Sequence, residues 1–268
     1  MPRALDAVGS RRGWIERCLA HEGTRSLAVR TPGGESTRTL APRTPIDLDT
    51  RSHPLAFLII PTWIVFGLWI DARWLHGQTI VDVVTWCILA GFIVAEPPRS
   101  RWMLLACLLY ATLGEVFLSL IWGLYDYRLG SLPLFVPPGH VLLFLLGRAV
   151  ACKLSKAVVI TSAVVAVAIA LEAIVRRGDH FSIPLLGLFG VALASRDQRA
   201  LFVTMFLLAL AMELVGTSLG NWKWRETTPW LGLMATNPPI AVGAFYVVLD
   251  RLVTWTAPAP RGSHHDGR

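Results

Sequence analysis

Long runs of apolar residues alternate with short polar segments over most of the chain. There are eight such runs. They cover about 54–70, 78–96, 102–123, 134–150, 155–175, 181–195, 199–219 and 233–252. Because about 20 apolar residues cross a bilayer as a helix, the pattern predicts an all-α, polytopic bundle of eight transmembrane spans. The first, fourth and sixth runs are short, and a re-entrant sixth run would reduce the count to seven.

Composition supports the same interpretation. The chain is 54% hydrophobic and only 16% charged, with a mean hydropathy of +0.53. Soluble domains carry about 25% charged residues. We therefore expect an integral membrane protein.

The two ends differ from the region between them. Residues 1–50 are rich in Arg and contain Thr, Pro and Gly clusters, which predicts a disordered cytoplasmic tail. A short interfacial helix at 14–29 is the alternative. No apolar stretch follows the early arginines, so a secretory signal peptide is not expected. Residues 256–268 are also predicted to be a disordered tail, which leaves 51–255 as the transmembrane domain.

The positive charge follows the spans. The net charge is +7, but outside the first tail the basic residues stand singly or in pairs at the ends of apolar runs. That distribution is typical of topogenic charge and argues against a nucleic-acid partner. Counting Arg and Lys on the two sides favours cytoplasmic termini. The expected location is the plasma (inner) membrane.

Two cassettes, 101–150 and 199–252, repeat one pattern: a glutamate within an apolar helix, a glycine, two aromatics two residues apart, an arginine, and a Pro-Pro pair. The matching residues are Glu115, Gly123, Tyr125, Tyr127, Arg128 and Pro137-Pro138, then Glu213, Gly220, Trp222, Trp224, Arg225 and Pro238-Pro239. The two glutamates are 98 residues apart, as are Arg101 and Arg199. The pattern predicts a parallel internal repeat of four-span units. The first two spans of each unit show no convincing match.

The glutamates are the principal candidates for chemistry. Glu115 and Glu213 each lie inside an apolar run, where an ionised carboxylate costs several kcal/mol. We expect each to be protonated, paired, or facing a wet cavity. A neutral carboxylic acid in an apolar site can donate a proton, which makes both candidate catalytic residues. A hydrogen bond to a neighbouring helix, or a pair with a nearby arginine, is the purely structural alternative.

The aromatic and basic residues that follow are candidate substrate contacts. Tyr125, Tyr127, Trp222 and Trp224 either line a cavity mouth or form an interfacial aromatic belt. Arg128 and Arg225 either bind an anionic headgroup or diphosphate or extend to the lipid headgroups.

Pro-Pro pairs are expected to open spans four and eight, because proline is tolerated in the first turn of a helix. His140 and Asn237 flank these starts and are candidate catalytic supports. His140 titrates near neutrality and can move a proton, whereas Asn237 can cap span eight and leave its amide in a cavity. Structural roles as caps or hydrogen-bond partners are the alternative for both.

Several motifs are missing from the sequence. It contains no GxSxG, P-loop, HExxH, GxGxxG, His-box or DDxxD pattern, and its four cysteines show no metal-ligand spacing. We therefore predict no cofactor and no metal.

The cassettes resemble those of small polytopic enzymes of carotenoid and terpenoid metabolism: the carotenoid hydratases and, more distantly, the membrane lycopene cyclases. In those families a helix with an acidic residue leads to an aromatic-x-aromatic turn, and a Pro-containing motif opens the next helix. The cyclases carry acidic residues directly after the proline, where this chain has Gly139-His140 and Ile240-Ala241. The resemblance implies cofactor-free proton chemistry on a polyene or prenyl chain.

Two function hypotheses follow. The first is a membrane enzyme that hydrates, cyclises or isomerises a hydrophobic isoprenoid or carotenoid-like lipid, with Glu115 or Glu213 as acid and the other as base or water-positioning group. The second is a small transporter, or a membrane subunit of a larger complex, that uses the paired carboxylates for protons or a solute. Homo-oligomerisation and a partner protein both stay open.

Overall fold

The computed structural model describes residues 56–74 and 76–256, and the two predicted tails lie outside these residues except for Thr256. The described part contains eight α-helices: α1 Ala56–Arg73, α2 Gly77–Ala95, α3 Pro98–Glu115, α4 Val136–Ala151, α5 Lys156–Arg177, α6 Ser182–Leu193, α7 Arg199–Leu219 and α8 Gly243–Thr256. A π-helical segment, Val116–Ile121, continues α3, and a 3₁₀ turn, Arg196–Gln198, precedes α7. The strands are β1 Tyr125–Tyr127 and β2 Trp222–Trp224.

Each predicted apolar run contains most of a helix or overlaps one, so the all-helical fold is confirmed. Within the described residues, five helical stretches are long and apolar enough to cross a membrane, judged by length and composition. They are Ala56–Arg73, Gly77–Ala95, Ser100–Ile121, Lys156–Arg177 and Arg199–Leu219. α4 and α6 are apolar but shorter. Large apolar side chains such as Val94, Val175 and Val191 are 73%, 80% and 75% exposed, as expected of a surface that faces lipid.

Proline and glycine mark several helix ends. α4 has Pro137 and Pro138 in its first turn, as predicted, where the missing N–H removes no helical bond. α5 and α7 end at Gly178 and Gly220, whose φ angles of +69° and +82° suit a residue without a side chain.

The start of α8 corrects one prediction. Pro238-Pro239 do not open this helix, which begins at Gly243. Two neighbouring side chains take the backbone N–H groups that follow the prolines. Asp179 Oδ2 accepts from the Ile240 N–H at 2.8 Å, and Ser182 Oγ accepts from the Ala241 N–H at 2.9 Å. Regular helix therefore begins only after these contacts.

Four helices form the centre of the bundle. α3 packs against α4 and α8, and α7 packs against the same two helices. α1 lies against α2, α4 and α7, whereas α5 lies against α7 and α6 lies against α8. The two cassettes therefore supply the four central helices. α1 and α5, the first helices of the two predicted units, differ from each other in the helices that they contact.

The two aromatic strands join the cassettes. β1 and β2 pair antiparallel with Tyr125 opposite Trp224 and Tyr127 opposite Trp222. Further backbone bonds extend the pairing, from Arg128 N–H to the Asn221 carbonyl (2.9 Å) and from Arg225 N–H to the Leu124 carbonyl (3.0 Å). Each strand follows the glutamate-bearing helix of its own cassette, so the pairing brings the ends of those helices together.

A glycine sets the separation of α7 and α8. A Cβ at Gly243 would lie 2.3 Å from the Phe206 carbonyl oxygen and 2.7 Å from its Cα, and backbone atoms cannot move aside as a flexible side chain can. We expect Gly243→Ala to lower the free energy of unfolding by at least about 1–3 kcal/mol. Thermal unfolding in detergent measures this. Gly187→Ala in α6, where a Cβ meets no atom within 4 Å, is the control, and equal melting temperatures for the two variants would contradict the prediction.

Candidate functional site

Glu115 is buried at the end of α3, with 6% of its surface exposed. Its Oε2 accepts hydrogen bonds from the Tyr125 hydroxyl at 2.7 Å and the Tyr127 hydroxyl at 2.6 Å. Both donors come from β1, where residues two apart point to the same face of the strand. The aromatic-x-aromatic spacing thus supplies a pair of hydroxyl donors to one carboxyl oxygen.

His140 holds the other oxygen of this carboxyl group. Its Nε2 lies 3.2 Å from Glu115 Oε1, and its Nδ1 lies 2.9 Å from the Val136 carbonyl oxygen. Because a carbonyl oxygen can only accept, Nδ1 carries hydrogen. Nε2 and Oε1 can then hold one further proton between them, on either residue, or none. The pair can therefore take up or release a proton.

Glu213 has an equivalent set of donors in the second cassette. It is buried in α7, and its Oε2 accepts from the indole N–H of Trp222 at 2.8 Å and of Trp224 at 3.0 Å. Its Oε1 lies 3.4 Å from the Tyr246 hydroxyl. Since an indole N–H can only donate, Oε2 is fixed as an acceptor, and any proton of this carboxyl group belongs on Oε1.

Tyr246 connects the two glutamates. Its hydroxyl is the group that approaches Glu213, and its ring stacks on the His140 imidazole with centroids 4.8 Å apart and planes 2° from parallel. Glu115, His140, Tyr246 and Glu213 are thus consecutive neighbours. We call these four residues the acid centre.

Two recesses reach the acid centre. The first has an empty volume of about 580 Å³ and the second about 410 Å³, each including its open mouth. Both are bordered by all four residues of the acid centre and by Tyr125. The structure therefore brings the two predicted glutamates to the walls of the same cavities.

The predicted aromatic residues also line these recesses. Tyr127 and Trp222 border the first recess and Trp224 borders the second. The rings of Tyr125 and Trp224, which face each other across the strands, have centroids 4.6 Å apart. The residue between the aromatics of each strand is exposed, so all four rings face inward.

The two tyrosine hydroxyls of β1 stay protonated. Burial, reinforced by the neighbouring Glu115 carboxyl group, raises the pKa of Tyr125 and of Tyr127 well above the ordinary value. Both hydroxyls therefore remain donors toward Glu115 at physiological pH.

The predicted arginines lie elsewhere. Arg128 forms an ion pair with the buried Asp71 of α1, with Nη2 3.0 Å from Oδ1. Asp71 Oδ2 also accepts from the Asn221 side-chain amide at 2.6 Å. Arg225 lies 3.3 Å from Asp126 in an exposed pair. Neither arginine borders a recess. The Arg128 pair attaches the strands to α1, whereas the Arg225 pair joins the end of β2 to β1.

Asn237 binds the backbone of β2. Its Oδ1 accepts from the Trp224 backbone N–H at 2.9 Å. It borders neither recess and does not cap α8, which begins at Gly243. The amide thus orients a strand that carries two donors to Glu213.

Tyr246 and Asp71 were not among the residues predicted for the site. A tyrosine in the last apolar run was the available signal for Tyr246, because a hydroxyl in a membrane helix needs a partner. Asp71 lies near the end of α1, where a charged residue is common and gives no sign of a buried role. Only the fold shows that it is 2% exposed and paired with Arg128.

In the described part of the chain, no group of three or more His, Cys, Asp or Glu side chains is arranged to hold a metal ion. No protein-family model matches the chain, and no curated protein or solved structure is significantly similar to it. The interpretation of the site therefore depends on its own geometry.

Proposed function

We propose that this chain is an integral membrane enzyme that performs cofactor-free acid/base chemistry on a hydrophobic isoprenoid or carotenoid-like lipid. One observation carries the proposal: two buried carboxyl groups with different partners border the same aromatic-lined recesses. Enzymes separate acid and base roles by giving two titratable groups different environments.

Glu213 is the proton donor in this scheme. Among the described residues its carboxyl group contacts two indole N–H groups and a tyrosine hydroxyl but no cation. Burial without a cationic partner favours the protonated form of a carboxyl group. The proton lies on Oε1, on the side of Tyr246, from which it transfers to a carbon of a substrate double bond.

Glu115 and His140 form the complementary base. Two hydroxyl donors stabilise negative charge on Glu115 Oε2, and the imidazole lies against Oε1. When no proton lies between Nε2 and Oε1, this pair accepts one there, either from the carbon next to the cation or from a water molecule that attacks it. In isomerisation or cyclisation the substrate gains one proton and loses one. In hydration it gains the atoms of one water molecule.

The aromatic walls suit the intermediate. Protonation of a carbon–carbon double bond leaves a carbocation, which the faces of Trp222, Trp224 and Tyr125 stabilise through their ring quadrupoles. The apolar surroundings also limit access of unwanted nucleophiles.

Deuterium uptake tests this chemistry. The purified protein in lipid nanodiscs is incubated in heavy water with lycopene as the probe, and the recovered polyene and its products are analysed by mass spectrometry. We expect deuterium on carbon, because reversible protonation exchanges hydrogen even where little product accumulates. Squalene, an unconjugated isoprenoid, is run in parallel to test whether conjugation is required.

The heat-inactivated protein and empty nanodiscs are the controls. If the protein shows a cooperative unfolding transition, and is therefore folded, but neither probe carries deuterium on carbon, the proposal is wrong for this class of substrate.

A proton-coupled transporter or complex subunit is the second candidate, and Asp250 favours it. This residue of α8 is fully buried, one helical turn beyond Tyr246, and neither carboxyl oxygen has a hydrogen-bond partner among the described residues. Residues Glu213, Tyr246 and Asp250 thus form a row of proton-bearing groups along the bundle. Proton flux into liposomes containing the protein, without chemical change of any lipid, would favour this candidate.

We also propose that the chain crosses the membrane eight times, with both termini cytoplasmic and two four-helix units related by a parallel repeat. The matching positions of the cassettes support the repeat, since α3 with α4 and α7 with α8 form the centre of the bundle. The antiparallel strand pair supports the repeat as well. Two equivalent strands on opposite sides of a two-fold axis along the membrane normal run antiparallel when they lie in the membrane plane.

A further inference from the structure

The two recesses approach the acid centre from different helices. The first is walled mainly by α1, α2 and α4, and the second by α3, the π-helical segment and α8. The residues common to both are those of the acid centre and Tyr125. The acid centre and Tyr125 therefore form a wall that the two recesses share.

Outside the acid centre and the paired strands most lining side chains are apolar, with Thr85 and Tyr110 as exceptions. The first recess is bordered by side chains such as Trp63, Ile64 and Leu68, and the second by Leu118, Phe245 and Leu249. The Thr85 hydroxyl in the first recess already accepts from the Trp63 indole at 2.9 Å. The polar side chains are thus concentrated in the shared wall, and most of the lining on either side of it is apolar.

An occupant that matches this distribution is apolar at both ends and reactive between them. We propose that the substrate is an extended apolar chain that lies through both recesses, so that the carbon that gains the proton is at an internal position of the chain. This inference depends on the proposed acid/base function of the site. A compact substrate, or one that enters by a single end, would fill only one recess.

Two glycines allow each recess to be filled separately. Gly139 of α4 borders the first recess and Gly114 of α3 borders the second, and a Cβ at either would meet no atom within 4 Å. A leucine at either position therefore begins in open space at its Cβ. Gly91 of α2 is exposed, borders neither recess and also has open space at its Cβ, so Gly91→Leu is the matched control.

Binding is measured through tryptophan fluorescence, which a bound conjugated polyene quenches. Lycopene is the long probe, and the much shorter geranylgeraniol, which does not quench, is used as its competitor. We expect Gly139→Leu and Gly114→Leu each to weaken lycopene binding by about tenfold or more, as when a shaped apolar pocket is partly filled. Gly91→Leu should bind like the unmodified chain. Geranylgeraniol should still bind to at least one of the two blocked variants.

Weakened lycopene binding in only one of the two variants would overturn the inference, since the chain would then occupy a single recess. Lycopene binding unaffected by both variants, or no binding by the unmodified protein, would overturn it equally. If a leucine variant does not fold, alanine at the same position is measured in its place.

Failure of this inference is distinguishable from failure of the proposed function. Binding requires no proton transfer, so dual-recess binding without deuterium uptake would refute the acid/base chemistry alone. Deuterium uptake together with sensitivity to one leucine only would refute the spanning chain alone.

Discussion

Replacing Glu213 with glutamine should abolish deuterium transfer to the polyene while leaving the fold intact. The amide oxygen of glutamine can still accept from Trp222 and Trp224, so the strand contacts persist. The amide cannot donate a proton to carbon. Since a positioned general acid contributes about 10²–10⁴-fold to a rate, the exchange rate should fall by at least about a hundredfold.

Glu172→Gln is the control for this experiment. Glu172 is a partly exposed glutamate of α5 whose carboxylate pairs with Arg177 at 2.9 Å on the surface. Its substitution should leave the exchange rate unchanged. Unaltered exchange in both Glu213→Gln and Glu115→Gln would show that neither carboxyl group participates, and the acid/base proposal would then be wrong.

Replacing Glu115 with leucine should destabilise the protein strongly. The change removes the acceptor of the Tyr125 and Tyr127 hydroxyls and the partner of His140 Nε2, and it leaves all three groups buried. Breaking a buried pair by removing one partner costs about 3–5 kcal/mol. We expect the free energy of unfolding to fall by that amount. Denaturant titration in mixed micelles, followed by tryptophan fluorescence, measures it.

Glu115→Gln is the matched comparison, because its amide oxygen still accepts from both tyrosines. It should retain most of the stability that the leucine variant loses. A leucine variant as stable as the unmodified chain would show that the network contributes nothing to folding, contrary to the geometry described above.

The central features of the site were predictable because the physical constraint on them is severe. A carboxyl group in an apolar helix needs partners, and the repeated setting of Glu115 and Glu213 identified both acids. The aromatic pairs were predicted as substrate contacts or belt residues, and only the fold shows that they donate to the glutamates. The helical fold was predictable for the same reason, since apolar runs of this length leave few alternatives.

The missed residues depend on information that apolar patterns do not contain. Which face of α8 turns inward, and hence where the Tyr246 hydroxyl lies, is determined by packing against α3 and α7 and not by the composition of the helix. The later start of α8 depends on Asp179 and Ser182, which are about 60 residues away in sequence. The pairing of Arg128 with Asp71 likewise joins distant helices.

The antiparallel pairing of β1 with β2 has a consequence for any shorter version of this protein. The strand that supplies donors to one glutamate is hydrogen-bonded to the strand that supplies donors to the other. A movement that separates the strands would disturb both proton-carrying groups in one event, so their activities should rise and fall together. A chain containing a single cassette would lack the partner edge for its strand, and it would have to self-associate along that edge to hold even one acid in place.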